Sequence, residues 1–106
     1  MVQAIRRIQE FTAGLSFDDY QASILVQSAV ERQLEILGEA ASRVSDAFRQ
    51  IHPEIDWRRT VGLRNIIIHR YDEIQQDIIW NIITTELAIL LTQLEPLLPP
   101  LPDEPA

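Results

Sequence analysis

The middle of the sequence carries a long stripe of apolar residues at helical spacing. From Val26 to Ile51, successive members of the stripe are separated by three or four positions without interruption, which is the period of one face of an α-helix. The stripe predicts one long helix that ends before Pro53, because the residue that precedes a proline is biased away from helical geometry. Its members are Val26, Val30, Leu34, Leu37, Ala41, Val44, Phe48 and Ile51.

Helical patterns also lie on both sides of this stripe. Apolar residues at helical spacing in 2–11 predict a first helix, closed by the small residues that follow it. The segment 17–23 predicts a short second helix or helical lead-in, with Ser16 as its cap and two aspartates in its first turn. A further helix is predicted over 53–68, restarting near residue 56, and a last helix begins at Tyr71 or Asp72. Strand signals are nearly absent, so the predicted class is all-α.

The last predicted helix is more apolar than a small bundle requires. One stripe is flanked by additional apolar positions, and we expect part of this surface to face another subunit. The predicted helical domain covers 1–98, and the proline-rich acidic tail 99–106 is expected to be disordered. The stripe consists of Ile79, Ile83, Leu87, Leu90, Leu94 and Leu97, and the flanking positions are Ile74, Ile78, Ile82, Ile89 and Leu91.

Length and composition restrict the possible functions. A chain of 106 residues is long enough for one domain with a modest core, and the lack of cysteine excludes disulfides and cysteine-ligated metals. Unbroken apolar runs are only a few residues long, far short of a bilayer span, and the first ten residues lack the apolar core of a secretory signal. We therefore expect a soluble cytoplasmic protein with no membrane partner.

The charge distribution separates one segment from the rest of the chain. The formal net charge is −7, and all nine basic residues are arginines, so general affinity for nucleic acid is not expected. Four arginines nevertheless fall at Arg58, Arg59, Arg64 and Arg70, with His69 beside them and no acidic residue between. Arginine recognises phosphate and carboxylate groups in a bidentate manner. The segment is equally consistent with pairing to the surplus carboxylates of the protein.

The sequence Leu63–Tyr71 places three isoleucines between polar residues. A single strand would have no partner in an all-helical chain, so the isoleucines are predicted to form the buried side of a helix end. In a helix Asn65 and His69 share a face, whereas Arg64 and His69 point roughly 140° apart. Arg64 and His69 can converge if the helix ends between them, or if two copies of the segment meet in a dimer.

These residue types suit a defined chemistry. Histidine can take up and release a proton near neutrality, and arginine stabilises negative charge on a phosphate group. Together they suit the metal-independent attack of an RNA 2′-hydroxyl on its own phosphate. Since His52 and His69 are the only histidines and no ligand set accompanies them, we predict no metal and no cofactor. The structural alternative is that Arg64 bridges a helix carboxylate such as Glu39 and that His69 caps a helix end.

Nearly the whole chain resembles one protein family. The segment "LRNIIIHRY" resembles the Arg-x4-His-x-Tyr motif of the HepT-like toxins, which belong to the HEPN superfamily of helical ribonucleases. The segments "FTAGLSFDDY", "AVERQLEILGEAASRVSDAFRQIHPEIDWRRTVGLRNIIIHRY" and "IIWNIITTELAILLTQLEPLL" resemble that family in order and spacing. The most specific features are Gly38-Glu39-Ala40, Pro53, Trp57, Gly62, Arg64-Asn65, His69 and Tyr71.

The resemblance implies a HEPN-type helical bundle that forms a homodimer, with both copies of the motif in a cleft at the subunit interface. It implies RNA cleavage, with a tRNA or an mRNA as candidate substrates. Arg64 and His69 match the catalytic positions, and Asn65 matches the polar position beside the arginine. The alternative is a non-catalytic helical dimer that binds a nucleotidyltransferase or RNA without cutting.

The resemblance also implies a partner, a minimal nucleotidyltransferase antitoxin that transfers AMP from ATP onto the motif tyrosine, Tyr71. A bulky anion at this position would block the site and compete for its positive charge. Arg70 adds a positive charge that could contact RNA, ATP phosphates or the antitoxin. Glu39 and Arg32 could line the cleft or form buried salt bridges.

Overall fold

The computed structural model describes residues 1–69 and 76–98, and the regular secondary structure in these ranges is entirely helical. The predicted all-α class is therefore confirmed. The predicted start of the last helix at Tyr71 or Asp72 and the predicted disorder of 99–106 lie outside the described residues. The helices are α1 (Val2–Thr12), α2 (Phe17–Ala22), α3 (Ile24–Ser42), α4 (Asp46–Ile51), α5 (Trp57–His69), α6 (Gln76–Asn81) and α7 (Leu87–Leu94).

Serine side chains begin three of the helices. The Ser16 hydroxyl accepts from the Asp19 backbone N–H at 3.1 Å, and the Asp19 carboxylate accepts from the Ser16 N–H at 3.0 Å, which completes a capping box at α2. These two hydrogen bonds lower the pKa of Asp19. Ser23 and Ser45 cap α3 and α4 in the same manner. The cap predicted at residue 16 is confirmed.

The prediction of one long middle helix is wrong. The backbone N–H groups of Arg43 and Val44 bond to carbonyls three residues back, which closes α3, and Ser45 then caps a separate helix α4. The apolar period continues across this break. However, Ile51 is 70% exposed, so the last part of the stripe does not face the core. The hydrogen bond that the Ser45 hydroxyl accepts from the Phe48 backbone N–H starts a new helix, even though the apolar spacing continues.

The core forms around α3, which packs against α1 on one side and α5 on the other. α3 contributes the buried side chains Val30, Leu34 and Leu37, as its stripe predicts. The neighbouring helices complete the core with Ile5, Ile8, Tyr20, Leu63, Ile67, Ile79, Ile82, Ile83, Leu87, Leu90 and Leu94.

α6 and α7 belong to one continuous helix, since a π-helical segment over Ile82–Glu86 joins them and a 3-10 turn over Glu95–Leu97 follows. The predicted stripe from Ile79 to Leu94 is buried, and Leu97 packs partly against the core. By length and composition the helix over Gln76–Leu97 could cross a bilayer, whereas the short unbroken apolar runs of the sequence predict no bilayer span. A buried apolar stripe like the one on this helix is equally typical of a core helix in a globular protein.

Candidate functional site

The helices α3 and α5 approach each other closely at Gly38 and Arg64. A Cβ atom placed on Gly38 would lie 2.7 Å from the Arg64 Cβ and 2.9 Å from the Arg64 backbone nitrogen. Both distances are shorter than van der Waals contact allows, so packing requires glycine at this position of α3. Gly38 therefore determines how near the backbone of the candidate catalytic arginine comes to α3.

From this contact the Arg64 side chain reaches the next residue of α3, Glu39. Arg64 Nη1 lies 2.9 Å from Glu39 Oε2, and Arg43 Nη2 lies 3.1 Å from the other carboxylate oxygen. The pair that the structural alternative predicts is thus present. The Arg64 and Glu39 side chains are 47% and 40% exposed, so their ion pair is solvated and contributes little to stability.

A polar pocket of about 360 Å³ opens beside this pair. Arg32 lines it together with Arg64 and Glu39, and Arg32 Nη1 pairs with Glu35 Oε2 at 3.3 Å. Both residues that were candidates to line a cleft, Arg32 and Glu39, therefore lie at the same surface as Arg64. The ion pairs of this surface are solvent-exposed, not buried.

Asn65 lies on a different surface of α5 from Arg64. Together with Gly62 and Arg58 of α5 it lines a groove whose other wall includes Ser42 and Arg49. The structure therefore separates the two adjacent residues of the motif onto the two sides of the helix. The position of Asn65 beside two arginines was not predicted from the sequence.

The helix continues through both predicted catalytic positions. α5 spans Trp57–His69, so it does not end between Arg64 and His69. Of the two routes by which these residues could converge, a helix end between them is therefore excluded. The structure describes His69 as the final residue of α5, whereas Arg70 and Tyr71 lie outside the described residues.

His52, the second histidine, lies in the connection between α4 and α5. The ring centroids of His52 and Phe48 lie 4.6 Å apart, and His52 Nδ1 is 3.3 Å from a Glu54 carboxylate oxygen. The backbone carbonyl of His52 accepts a hydrogen bond from the Trp57 indole N–H at 3.0 Å. His52 thus fixes the connection between α4 and α5.

A hydrogen-bond network includes Gln76, the residue at which the described structure resumes after the motif. The Tyr20 hydroxyl donates to Gln76 Oε1 at 2.8 Å, and Gln76 also bonds to Glu31 of α3. Burial raises the pKa of Glu31, and the negative charge of Glu35 raises it further, against the Gln76 hydrogen bond. Burial likewise raises the pKa of Tyr20. The network ties the start of α6 to α2 and α3.

The sequence profile of the family described as "Ribonuclease HepT-like" matches residues 1–97. The chain belongs to the ribonuclease HepT-like family. It is 34% identical over 97 residues to "Probable ribonuclease HepT" of Thermococcus cleftensis, covering 92% of this chain and 88% of the relative. It is 30% identical over 95 residues to "Putative RNase MJ1380" of Methanocaldococcus jannaschii, covering 90% and 87%. No solved structure matches the chain.

Membership in this RNase family confirms the resemblance inferred from the motif. Two contacts of the candidate site were not predicted from the sequence: the packing of Gly38 on Arg64 and the second arginine, Arg43, on Glu39. Each has a local signal. A glycine inside a strong apolar stripe often marks close helix packing, and Glu39 and Arg43 are four residues apart, the spacing of helical ion pairs.

Proposed function

We propose that this protein is the toxin of a type II toxin–antitoxin system and cleaves RNA without a metal ion. The observation that carries the proposal is the family match over residues 1–97, a range that includes Arg64, His69 and Tyr71 at the motif spacing. The exposed position of Arg64 supports it, because the guanidinium pairs with Glu39 through Nη1 and has further N–H donors available for an RNA phosphate. The proposed site of action is the cytoplasm.

In the proposed reaction, the 2′-oxygen of a ribose attacks the adjacent phosphorus, and the bond from phosphorus to the 5′-oxygen breaks. His69 accepts the hydroxyl proton or donates a proton to the departing 5′-oxygen, and water performs the other transfer, so that the proton lost at the 2′-oxygen is balanced by the one gained at the 5′-oxygen. Arg64 donates hydrogen bonds to the non-bridging oxygens, on which negative charge develops. The products are a 2′,3′-cyclic phosphate and a 5′-hydroxyl end. Asn65 and Arg70 are proposed to support the site.

The proposed active unit is a homodimer. Because α5 continues through Arg64 and His69, the two positions face directions roughly 140° apart on one helix. In a homodimer, a second copy of the motif can bring its own Arg64 to the His69 of the first copy. The many apolar residues of the last helix, including the exposed Ile78 and Ile89, are also consistent with a subunit contact.

Control by a nucleotidyltransferase antitoxin completes the proposal. The phenol oxygen of Tyr71 attacks the α-phosphorus of ATP, a phosphodiester to AMP forms, and pyrophosphate leaves. The phenol proton passes to a base of the antitoxin. The added phosphate lies two residues from His69 in the sequence, where it excludes an RNA phosphate by charge and by volume.

RNA cleavage in a buffer with EDTA and no magnesium tests the proposal. The unmodified protein should cut RNA to products with 2′,3′-cyclic phosphate ends, and His69→Ala should leave the RNA intact at equal dimer content. His52→Ala is the matched control and should retain cleavage, since His52 lies in a structural contact. Mass spectrometry of the same preparations reports AMP on Tyr71.

Two results would contradict the proposal. If neither unmodified wild-type protein nor His69→Ala cuts a broad RNA panel, the catalytic role fails on those substrates and the non-catalytic binding module is favoured. If His69→Ala cuts as fast as wild type, another group performs the proton transfer.

A further inference from the structure

Gly62 lies in the middle of α5, where packing within the described part of the chain does not require glycine. A Cβ atom on Gly62 would meet no atom of residues 1–69 and 76–98 within 4 Å, whereas one on Gly38 would clash with Arg64. Glycine inside a helix lowers stability relative to alanine. Glycine at this position instead leaves the helix backbone accessible, so that a ligand or a second chain can approach it closely.

The open backbone forms the floor of a groove of about 710 Å³, which we name the Arg58 groove. It is lined by Ser42, Arg49, Trp57, Arg58, Val61, Gly62 and Asn65. No acidic residue within residues 1–69 and 76–98 lines it. In a protein of net charge −7, a groove with two arginines and no carboxylate selects for an anionic ligand.

The two arginines of the groove differ from the other cations nearby. Arg59, the next residue to Arg58, is neutralised by Glu86 through two hydrogen bonds of 2.9 and 3.1 Å. Arg58 is exposed and forms no ion pair with a carboxylate of the described residues. Arg49 is fixed by the hydrogen bond from its Nη2 to the Ala41 carbonyl at 2.8 Å. With respect to the described residues, Arg58 is thus available to contact a ligand, and Arg49 is a positive charge held in the wall of the groove.

The groove follows the helix face that leads to the motif histidine. Positions 58, 62, 65 and 69 are separated by four, three and four residues, so they share one face of α5. A distance of eleven residues corresponds to about 16 Å along a helix. A strand cleaved near position 69 would therefore pass the groove within a few nucleotides of the cleaved bond.

We propose that the Arg58 groove binds the phosphate backbone of the RNA substrate beside the cleaved bond. Arg58 donates to a phosphate, Arg49 adds positive charge, Asn65 and Ser42 supply polar contacts, and Gly62 lets the sugar–phosphate chain approach the helix. A second copy of the chain is a poorer occupant, because a symmetric contact centred here would bring Arg58 near its own symmetry mate. The proposal deepens the RNase function and rests on it.

The test uses binding by the cleavage-inactive His69→Ala dimer, so that RNA remains intact. Fluorescence anisotropy measures the Kd of bulk tRNA and of a mixed-sequence single-stranded RNA at several salt concentrations. Arg58→Ala should weaken the tighter of the two complexes roughly threefold to tenfold and lower the salt slope by about one. Arg7→Ala is the matched control, since Arg7 is an exposed arginine on α1 outside the groove, and it should leave the Kd unchanged.

Gly62→Leu provides a second variant that acts by volume instead of charge. It fills open space, so the thermal midpoint should stay the same or rise while RNA binding weakens by at least about threefold. An unchanged Kd for both groove variants would overturn the proposal, and so would an equal loss with Arg7→Ala or no binding of either RNA. Loss of binding only through dissociation of the dimer, seen by light scattering, would assign the groove to subunit contact instead.

These outcomes remain separate from those of the proposed function. Cleavage by wild type that His69→Ala abolishes, together with unchanged binding in the groove variants, leaves the RNase function standing and removes the groove. Cleavage retained in His69→Ala contradicts the proposed catalytic role whatever the groove variants show.

Discussion

The backbone of Arg64 packs directly on Gly38. A Cβ on Gly38 would lie 2.7 Å from the Arg64 Cβ and 3.3 Å from its Cα. The backbone of α3 therefore contacts Arg64 directly at Gly38. Because a backbone nitrogen at 2.9 Å is also involved, a rotamer change of Arg64 cannot relieve the clash. The position of the candidate catalytic arginine thus depends on a residue that itself touches no substrate.

Gly38→Ala should therefore destabilise the protein and impair RNA cleavage together. Overpacking of this kind costs about 1–3 kcal/mol of unfolding free energy, and relief of the clash must move α5 relative to α3. Urea unfolding followed by tryptophan fluorescence gives the stability, and single-turnover cleavage at a temperature where the variant is folded gives the rate.

Gly62→Ala is the matched control, because its Cβ would meet no atom of the described residues within 4 Å. This variant should be as stable as wild type or more stable by about 1 kcal/mol at most, from helix propensity. Equal destabilisation by the two alanines would show that the Gly38 contact has no special role.

The helical period predicted most of the fold, because burial of an apolar stripe is a property of residue spacing. The stripes of α3 and of the last helix lie in the core as expected, and the cap at Ser16 is present. The break after Ser42 was missed, since Ser45 competes with the helix through one local hydrogen bond while the apolar period continues unchanged.

The site was predicted in its residue types but not in its arrangement. The Arg64–Glu39 pair follows from charge and helix placement, and it is present. The separation of Arg64 and Asn65 onto two surfaces depends on which side of α5 meets α3, and Gly38 determines that contact. A sequence pattern gives the angle between residues on one helix, but the rotation of that helix against its neighbour depends on packing.

Arg64→Ala should abolish RNA cleavage while changing the unfolding free energy by only about 0–1 kcal/mol, the usual contribution of a solvated ion pair. The side chains of the pair are 47% and 40% exposed, so water replaces the lost contact. Chemical denaturation and the EDTA cleavage assay measure the two effects. A loss of about 3–5 kcal/mol, typical of a broken buried pair, would instead support a structural role for Arg64.

Glu31→Gln should change how stability depends on pH. Burial raises the pKa of Glu31 from the ordinary 4.5, so the folded state holds this proton more tightly than the unfolded state. Stability is therefore lost as pH rises from 4.5 through the folded pKa. Glutamine resembles the protonated form, so the variant should gain stability over wild type at neutral pH and lose that advantage at acidic pH.

Urea unfolding of both proteins across this pH range measures the difference. Glu10→Gln, at an exposed position of α1, controls for the change in net charge. A constant difference between Glu31→Gln and wild type at every pH would show that Glu31 titrates alike in the folded and unfolded states.

Glu39→Gln should separate RNA binding from RNA cleavage. The Glu39 carboxylate holds Arg64 on one oxygen and Arg43 on the other, so neutralising it leaves two arginines with more net positive charge and should tighten RNA binding. The same change removes the anchor that orients Arg64, and the single-turnover cleavage rate should fall. Glu35→Gln removes the same charge from the neighbouring Arg32 pair; it should tighten binding similarly but keep the cleavage rate. If the two glutamine variants cut RNA at the same rate, then Glu39 acts only through its charge and does not orient Arg64.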